Sequence, residues 1–252
     1  MGTHIAQLPW DSEFFGVSIG KVELDGATPE ILAEIETEAR DLGIECLYGN
    51  VAEHGRNHTP HLVQQHGYRL IEVGQLLDRP PGPYDGPPTE SSVRAATPDD
   101  LEALAPSIDR LAPWSRFAAD PRFGPEAARR MHQAWVDRAA REPDKRLLLI
   151  AEDESGVTGL STNVFEADGP DDIGEGRGHH RVDLMGVIKS GAGVSQALMR
   201  GLFEWADYGP TQAGPCAARN IAVLRFCEGC GFSVCHVVYQ FHLWLDERPL
   251  TA

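Results

Sequence analysis

Positive charge is what this chain of 252 residues has least of: 22 Lys and Arg stand against 38 Asp and Glu, a net charge of -16. General nucleic-acid binding runs on neutralising phosphates, so a surface of this sign excludes it as a default. Attraction to an anionic membrane surface is disfavoured for the same reason. Lysine is confined to Lys21, Lys145 and Lys189, with arginine supplying the rest of the positive charge. Long apolar runs are also missing; none reaches the roughly 18 residues of a bilayer span. The N-terminal stretch from Met1 to Trp10 lacks the basic-then-apolar order of a secretory signal. Cysteine is sparse and odd in number, five in all, which fits a reduced chain better than a disulfide framework. A cytoplasmic, soluble protein with no nucleic-acid or membrane partner is the expectation.

What remains is ordinary globular composition, 42% hydrophobic and 24% charged. The length suits one large domain or two smaller ones. The acid is unevenly spread: residues 1–90 carry net -10 and residues 91–252 net -6. Between the two parts lies Arg79-Pro-Pro-Gly-Pro-Tyr-Asp-Gly-Pro-Pro-Thr-Glu-Ser-Ser92, whose five prolines and two glycines deny both helix and sheet their hydrogen bonds. It reads as a stiff extended linker, 80–92, between a first domain at 1–79 and a second at 93–252.

The second domain opens with a short strand at Val93–Ala96, followed by Thr97 as a cap and Pro98 in the first turn of a helix. Leu101, Leu104, Ile108 and Leu111 keep helical spacing, and Pro125 to Arg141 makes a second amphipathic helix. Strands are predicted at Arg146–Glu152, Val157–Phe165 and His180–Ile188, then a Gly-rich turn and a helix at Ser195–Ala206. The first domain repeats the scheme in reduced form: helix Pro29–Leu42, strand Glu45–Val51, helix His58–His66, and a long strand after Gly67-Tyr68. The chain's end has the matching Gly231-Phe232 before its own long strand, which points to a degenerate internal duplication. The fold class predicted is α/β with a mixed, mostly antiparallel sheet flanked by helices.

The stretch carrying most chemistry runs from Arg181 to Phe232. A strand, a Gly-containing turn (Lys189, Ser190, Gly191, Ala192, Gly193, Val194, Ser195) and a helix N-terminus together suit an anionic ligand, because backbone N–H groups can approach phosphate oxygens there. A plain tight turn explains Gly-x-Gly equally well. Further on, Arg219-Asn-Ile-Ala-Val-Leu-Arg-Phe-Cys-Glu-Gly-Cys-Gly-Phe232 joins an Asn, a short helix and Gly-Phe.

These two stretches, in this order, resemble the GCN5-related N-acetyltransferase (GNAT) family over residues 93–252. Leu8-Pro-Trp-Asp-Ser-Glu-Phe-Phe-Gly16 and Phe241-His-Leu-Trp-Leu245 are similar to the two-domain branch that includes dTDP-fucosamine acetyltransferase, with a smaller degenerate GNAT-like domain in front. The resemblance implies acyl transfer, acetyl or related, from CoA to an amine by direct attack, the acceptor being a small metabolite or a nucleotide-linked amino sugar. It implies that the strand through Met185 and Val187 holds the acyl carbonyl, that residues 189–195 hold pyrophosphate, and that Asn220 orients the pantetheine arm or the acceptor. Acetyl-CoA or another acyl-CoA would be the co-substrate, with no metal, in a monomer or homodimer. Two positions depart from the family pattern. Ser190 stands where Arg or Gln is usual, with Gly193 and Ser195 at the following small positions. Cys227 stands where a tyrosine usually protonates the departing thiolate.

A thiol at Cys227 can donate a proton or act as nucleophile, and can equally well pack as a small hydrophobe. Asp183 or His180 could take the proton of an arriving ammonium, and Asp183 could instead pair with an arginine. Arg116 and Phe117, in the Trp114–Phe123 connector, are where the acceptor would lie by resemblance. Cys227 and Cys230, with Cys216, Cys235 and His236 nearby, invite a zinc reading, but such sites want two close pairs and there is one. His54, His58, His61 and His66 read as a solvated polar surface. The other function classes are a GNAT-fold enzyme that no longer uses CoA and a non-catalytic binding module of the same fold.

Overall fold

The computed structural model describes residues 4–52, 59–166, 179–188 and 192–246. Along the chain come β1 (Ala6–Gln7), α1 (Pro9–Phe15), β2 (Ile19–Glu23), α2 (Pro29–Asp41), β3 (Cys46–Ala52), α3 (Thr59–Gln65) and β4 (Arg69–Arg79). After the proline-rich segment follow β5 (Ser92–Ala95), a 3-10 segment (Pro98–Leu104), α4 (Ala105–Leu111), α5 (Arg116–Ala119) and α6 (Gly124–Arg141). The remainder is β6 (Arg146–Asp153), β7 (Gly156–Glu166), β8 (His179–Val187), α7 (Val194–Trp205), β9 (Thr211–Ala217), α8 (Ile221–Gly229) and β10 (Ser233–Trp244).

Two compact units emerge, residues up to Gln75 with His236 onward, and Leu76 to Cys235. In the first, the strand order is β1-β2-β3-β10-β4, with β2 and β3 parallel and β10 antiparallel to β3. Its core sits between the sheet and α2: Leu32, Ile35 and Ala39 meet Leu24, Leu47, Val51 and Phe241, all buried. Their spacing of three and four residues is the apolar stripe that the sequence shows.

In the second unit β4, β9, β8, β7, β6 and β5 follow in that order, with β5 to β8 pairing antiparallel in turn and β8 parallel to β9. Helices cover both faces. Leu104, Ile108 and Val136 pack on Ile150, Leu160 and Leu184 on one side. On the other, α7 sets Val194 and Leu198 on Leu149 and Ala151.

The predicted helix from Pro98 to Leu111 divides at Leu104 into a 3-10 segment and α4. Pro106 has no N–H to continue the α ladder, so the first turns close by the tighter pattern. The Thr97–Asp100 capping box forms as its residues suggest. Strand β9 was not among the predicted elements, because Gly214-Pro215 in its middle reads as a breaker. Equivalent turns support the duplication: Gly67 and Gly231 have φ of 87° and 88°, each followed by a buried aromatic, Tyr68 and Phe232.

The proline-rich segment is extended, as its composition demands, but it is also fastened along its length to the second unit. Buried Arg79 donates from Nε to the Cys230 carbonyl (3.1 Å) and from Nη2 to the carbonyls of Gly82 (2.9 Å) and Pro83 (2.8 Å). Its guanidinium lies 4.2 Å from the Phe203 ring centroid. Arg200 on α7 donates to the Gly86 carbonyl at 2.7 Å. Carbonyls that prolines leave without a secondary-structure partner are thus taken up by two arginines.

Close packing fixes α4 on β8. A Cβ added at Gly186 would come within 2.7 Å of the Ser107 carbonyl oxygen and 2.6 Å of Leu111 Cδ2. Gly186→Ala is expected to cost about 1–3 kcal/mol in denaturant unfolding. Gly229→Ala, on α8 where an added Cβ meets nothing within 4 Å, is expected to be neutral or stabilising.

Candidate functional site

Strands β8 and β9 share a short parallel ladder, His180 to Val182 with Thr211 to Ala213. Beyond it β8 continues to Val187, still paired with β7 as far as Gly159, while β9 continues to Ala217. Among the described residues, the β9-facing edge of Asp183–Val187 therefore has no strand partner. The two strands part into a wedge.

A bulge at the mouth of the wedge decides which side chains face which helix. Thr162 pairs with Leu184 and Asn163 with Val182, leaving Asp183 as the extra residue. Val182 and Met185 consequently share one face with Met199 and Leu202 of α7, where Val187 also packs. Leu184 turns to the opposite face with Ile108 and Val136. The alternation that would otherwise bury Asp183 among apolar side chains is reset by one residue.

Asp183 is engaged by two arginines: Oδ2 accepts from Arg146 Nη1 at 2.9 Å, and Oδ1 from Arg181 Nη2 at 2.8 Å. The ion-pair alternative raised for Asp183 is the arrangement observed. His180 stands between the Phe165 ring (4.9 Å) and the Trp205 ring (4.6 Å). Burial, helped by His179, pushes its pKa below the ordinary histidine value. His180 and Val187 lie seven residues apart on β8, about 23 Å at strand rise, so the two ends of the predicted site are separate places.

At the far end of the wedge Gly193, with φ of 76°, serves as N-cap of α7. As glycine, it offers no capping side chain to the helix's first N–H groups. Thr89 lies against Gly193, where an added Cβ would come within 3.3 Å of its methyl group. Ala192, Gly193, Val194 and Ser195 are described; Lys189, Ser190 and Gly191 lie outside the described residues, as do His54 and His58.

Asn220 is the N-cap of α8, its side-chain oxygen accepting from Val223 N–H at 3.4 Å. Cys227, in the last turn of that helix, is 3% exposed. The neighbouring Cys216 of β9, and then burial, push its thiol pKa up. Cys230 is likewise buried and lies 3.6 Å from the Tyr84 hydroxyl. Met185, Cys216 and Cys227 thus belong to one apolar cluster spanning both sides of the wedge.

Phe117 is a core residue of the α4–α6 connector, packed edge-on to Phe123 (5.7 Å) and Trp135 (6.4 Å). Arg116 lies over its ring at 4.8 Å. Two residues that sequence reasoning did not single out meet here. Arg219, at the β9–α8 junction, covers the Trp114 ring at 5.1 Å and donates to the Pro113 carbonyl at 3.3 Å. It ties the connector to the junction that also holds Asn220. Only its place beside Asn220 could have signalled this, and an exposed arginine carries no periodicity.

Among the described residues no group of three or more His, Cys, Asp and Glu side chains is placed to hold a metal. No described helix is long and apolar enough to cross a membrane.

No protein-family model matches the chain, and no curated protein does. Solved structures do. A functionally unknown conserved protein from Staphylococcus epidermidis superposes with TM-score 0.69 at 12% identity, covering 97% of this chain and 92% of its own. A GCN5-related N-acetyltransferase from Sphaerobacter thermophilus gives TM-score 0.57 at 13% identity, over 96% and 76% of the two chains. A tandem GNAT protein from the clavulanic acid biosynthesis pathway gives 0.55 at 13% identity, over 92% and 77%. The chain has the GNAT fold. At these identities the likeness is one of architecture.

Asp183→Asn is expected to lower unfolding stability by about 1–3 kcal/mol, because it removes a carboxylate shared by two guanidinium groups. Unchanged stability with abolished turnover would instead make Asp183 a base. His132 on α6 is buried, its Nδ1 2.7 Å from the Ala128 carbonyl, and burial lowers its pKa. The unfolded chain then takes up the proton more readily, so stability is present above about pH 6.5 and falls as pH drops below it. Unfolding free energies measured from pH 7.5 to 5 should show this slope, shallower in His132→Gln.

Proposed function

We propose that the protein is an acyl-CoA-dependent N-acyltransferase, using acetyl-CoA or a related thioester and acylating the amine of a small metabolite or nucleotide-linked amino sugar. The observation that carries the reading is the wedge: an unpaired edge of β8 leading to the uncapped N-terminus of α7. An extended amide-bearing arm can complete the ladder that β9 abandons, as a strand would. The N–H groups at Gly193–Ser195 and the helix dipole suit the pyrophosphate end.

In this reading the backbone of Met185 and Val187 orients the thioester, and the amine attacks its carbonyl carbon directly. Asn220 holds α8 in place at the wedge, and Arg219 with Trp114 closes the connector over its mouth. Arg116 is available to an acceptor phosphate. Asp183, held by its two arginines, contributes geometry. A base for the ammonium is then water. Cys227, buried and with its pKa raised, is a poor proton donor to a departing thiolate. A small-molecule acceptor and a cytoplasmic setting belong to the same proposal.

That arrangement of Cys227 and Asp183 favours one second reading, a GNAT-fold protein that binds without the usual acid and base, either for another reaction or as a binding module. Titration calorimetry with acetyl-CoA separates the two: absence of heat at millimolar ligand removes the acyltransferase reading. Affinity is expected to rise between about 10 and 150 mM salt. Over that range the Debye length shrinks from about 30 to 8 Å, which screens the repulsion of the -16 surface and leaves contacts of a few ångströms intact.

A further inference from the structure

Between α7 and the sheet's edge strand β5 lies a cavity of about 430 Å³, a size that suits a small molecule. Its apolar lining includes Val93 of β5, buried Leu149 of β6 and buried Ala197 of α7. Trp205, 40% exposed, lines it as well. In the sheet β5 stands three strands from β8, about 14 Å, so this cavity and the unpaired edge of β8 are different places. Two opposite charges one helical turn apart, Arg200 and Glu204, also line it, and they do not pair with each other. Arginine four residues before glutamate is the weaker order for a helical ion pair. Arg200 Nη2 donates instead to the carbonyls of Gly86 (2.7 Å) and Pro87 (3.1 Å). Among the described residues, no carboxylate neutralises Arg200 and no cation meets Glu204. Arg94, the other cation at the cavity, is taken up by Asp100 (2.8 Å) and Glu152 (3.2 Å). Half-buried and held by two carbonyls, Arg200 keeps its place with Nε and Nη1 donating to no described group.

We propose that this cavity binds a free α-amino acid with an apolar or aromatic side chain. Its carboxylate meets Arg200, its ammonium meets Glu204, and its side chain lies against Leu149, Ala197 and Trp205. The charges select a zwitterion: a simple anion would face Glu204, and a simple cation would face Arg200. Side chains four apart on a helix start about 6 Å from each other, so the two heads can grip groups that share one Cα. The guanidinium offers a carboxylate two parallel N–H donors, the geometry in which such pairs are strongest. Ordering a small, rigid ligand on groups already in place costs little conformational freedom. The site stands independently of the acyltransferase reading, because no residue assigned to acyl transfer lines the cavity.

The test is titration calorimetry of the full chain, without acyl-CoA, against L-leucine, L-phenylalanine and L-tryptophan at millimolar concentration. At least one should bind, at one site per chain. Its amide, which lacks the carboxylate, and its N-acetyl form, which lacks the ammonium, should each bind at least about tenfold more weakly. Glu204→Gln should weaken binding by a similar factor and leave the unfolding midpoint unchanged, since Glu204 is exposed and bonds to no described group. Arg200→Gln should do the same to binding, but it also releases Gly86 and Pro87, so Glu204→Gln is the deciding variant. No heat from any of the three amino acids would overturn the proposal. So would an N-acetyl form that binds as tightly as its parent, or binding that Glu204→Gln leaves intact, as an acceptor amine seated at the wedge would show.

Discussion

Two parallel strands that stop sharing hydrogen bonds leave donors and acceptors on both edges, and buried backbone groups do not stay unpaired cheaply. The ladder of β8 and β9 lasts for three residue pairs and then ends. Everything distinctive about the second unit follows from that ending. One edge of β8 must be completed by solvent or by a ligand that is itself strand-like. The bulge at Asp183 turns Met185 and Val187 toward α7, and Gly186 lets α4 seat directly on the strand's other face. The wedge is thus braced from both sides by packing, not held apart by loop length.

The bracing is done largely by arginine. Arg146 and Arg181 hold the bulge through Asp183, Arg219 ties the connector to the α8 junction, and Arg79 with Arg200 fastens the proline-rich segment along α7. Guanidinium suits these places because its planar fork can serve several carbonyl oxygens while its face lies on an aromatic ring. Ammonium, a compact point charge, does neither as well. The scarcity of lysine thereby gains a structural counterpart. Most of the cations placed at the site are tasked with geometry.

Much of this fold was legible in the sequence, and the reasons are local. Helices α2, α6 and α7 carry an apolar stripe, and β6 and β7 are short apolar runs, so periodicity found them within a residue or two. Gly67 and Gly231 announce themselves because only glycine takes their backbone comfortably. What escaped detection depends on residues far apart in the chain. Strand β9 hides behind Gly214-Pro215, since its membership of the sheet is decided by β8 and not by its own composition. Asp183 could be weighed as base or ion-pair partner, but Arg146 is 37 residues away in sequence. That Cys216 and Cys227 share one apolar cluster requires the strand and helix to be placed first. Arg219 over Trp114 spans 105 positions and leaves no pattern.

Net charge then acquires a sharper meaning. A polyanionic ligand approaching a protein of -16 meets repulsion at long range, yet the groups that would hold it need carry no formal charge. The N–H groups at the start of α7 and along the edge of β8 that no described strand pairs are dipoles. They act over a few ångströms, where water is displaced and the surface field has been screened. The acidic surface and an anion site are therefore compatible, because they act at different distances. Cations spent on holding the wedge open do not have to be duplicated inside it. In the proposed reading, arginines serve as braces and recognition of the anion falls to the backbone, where the parallel ladder ends and α7 begins at a glycine.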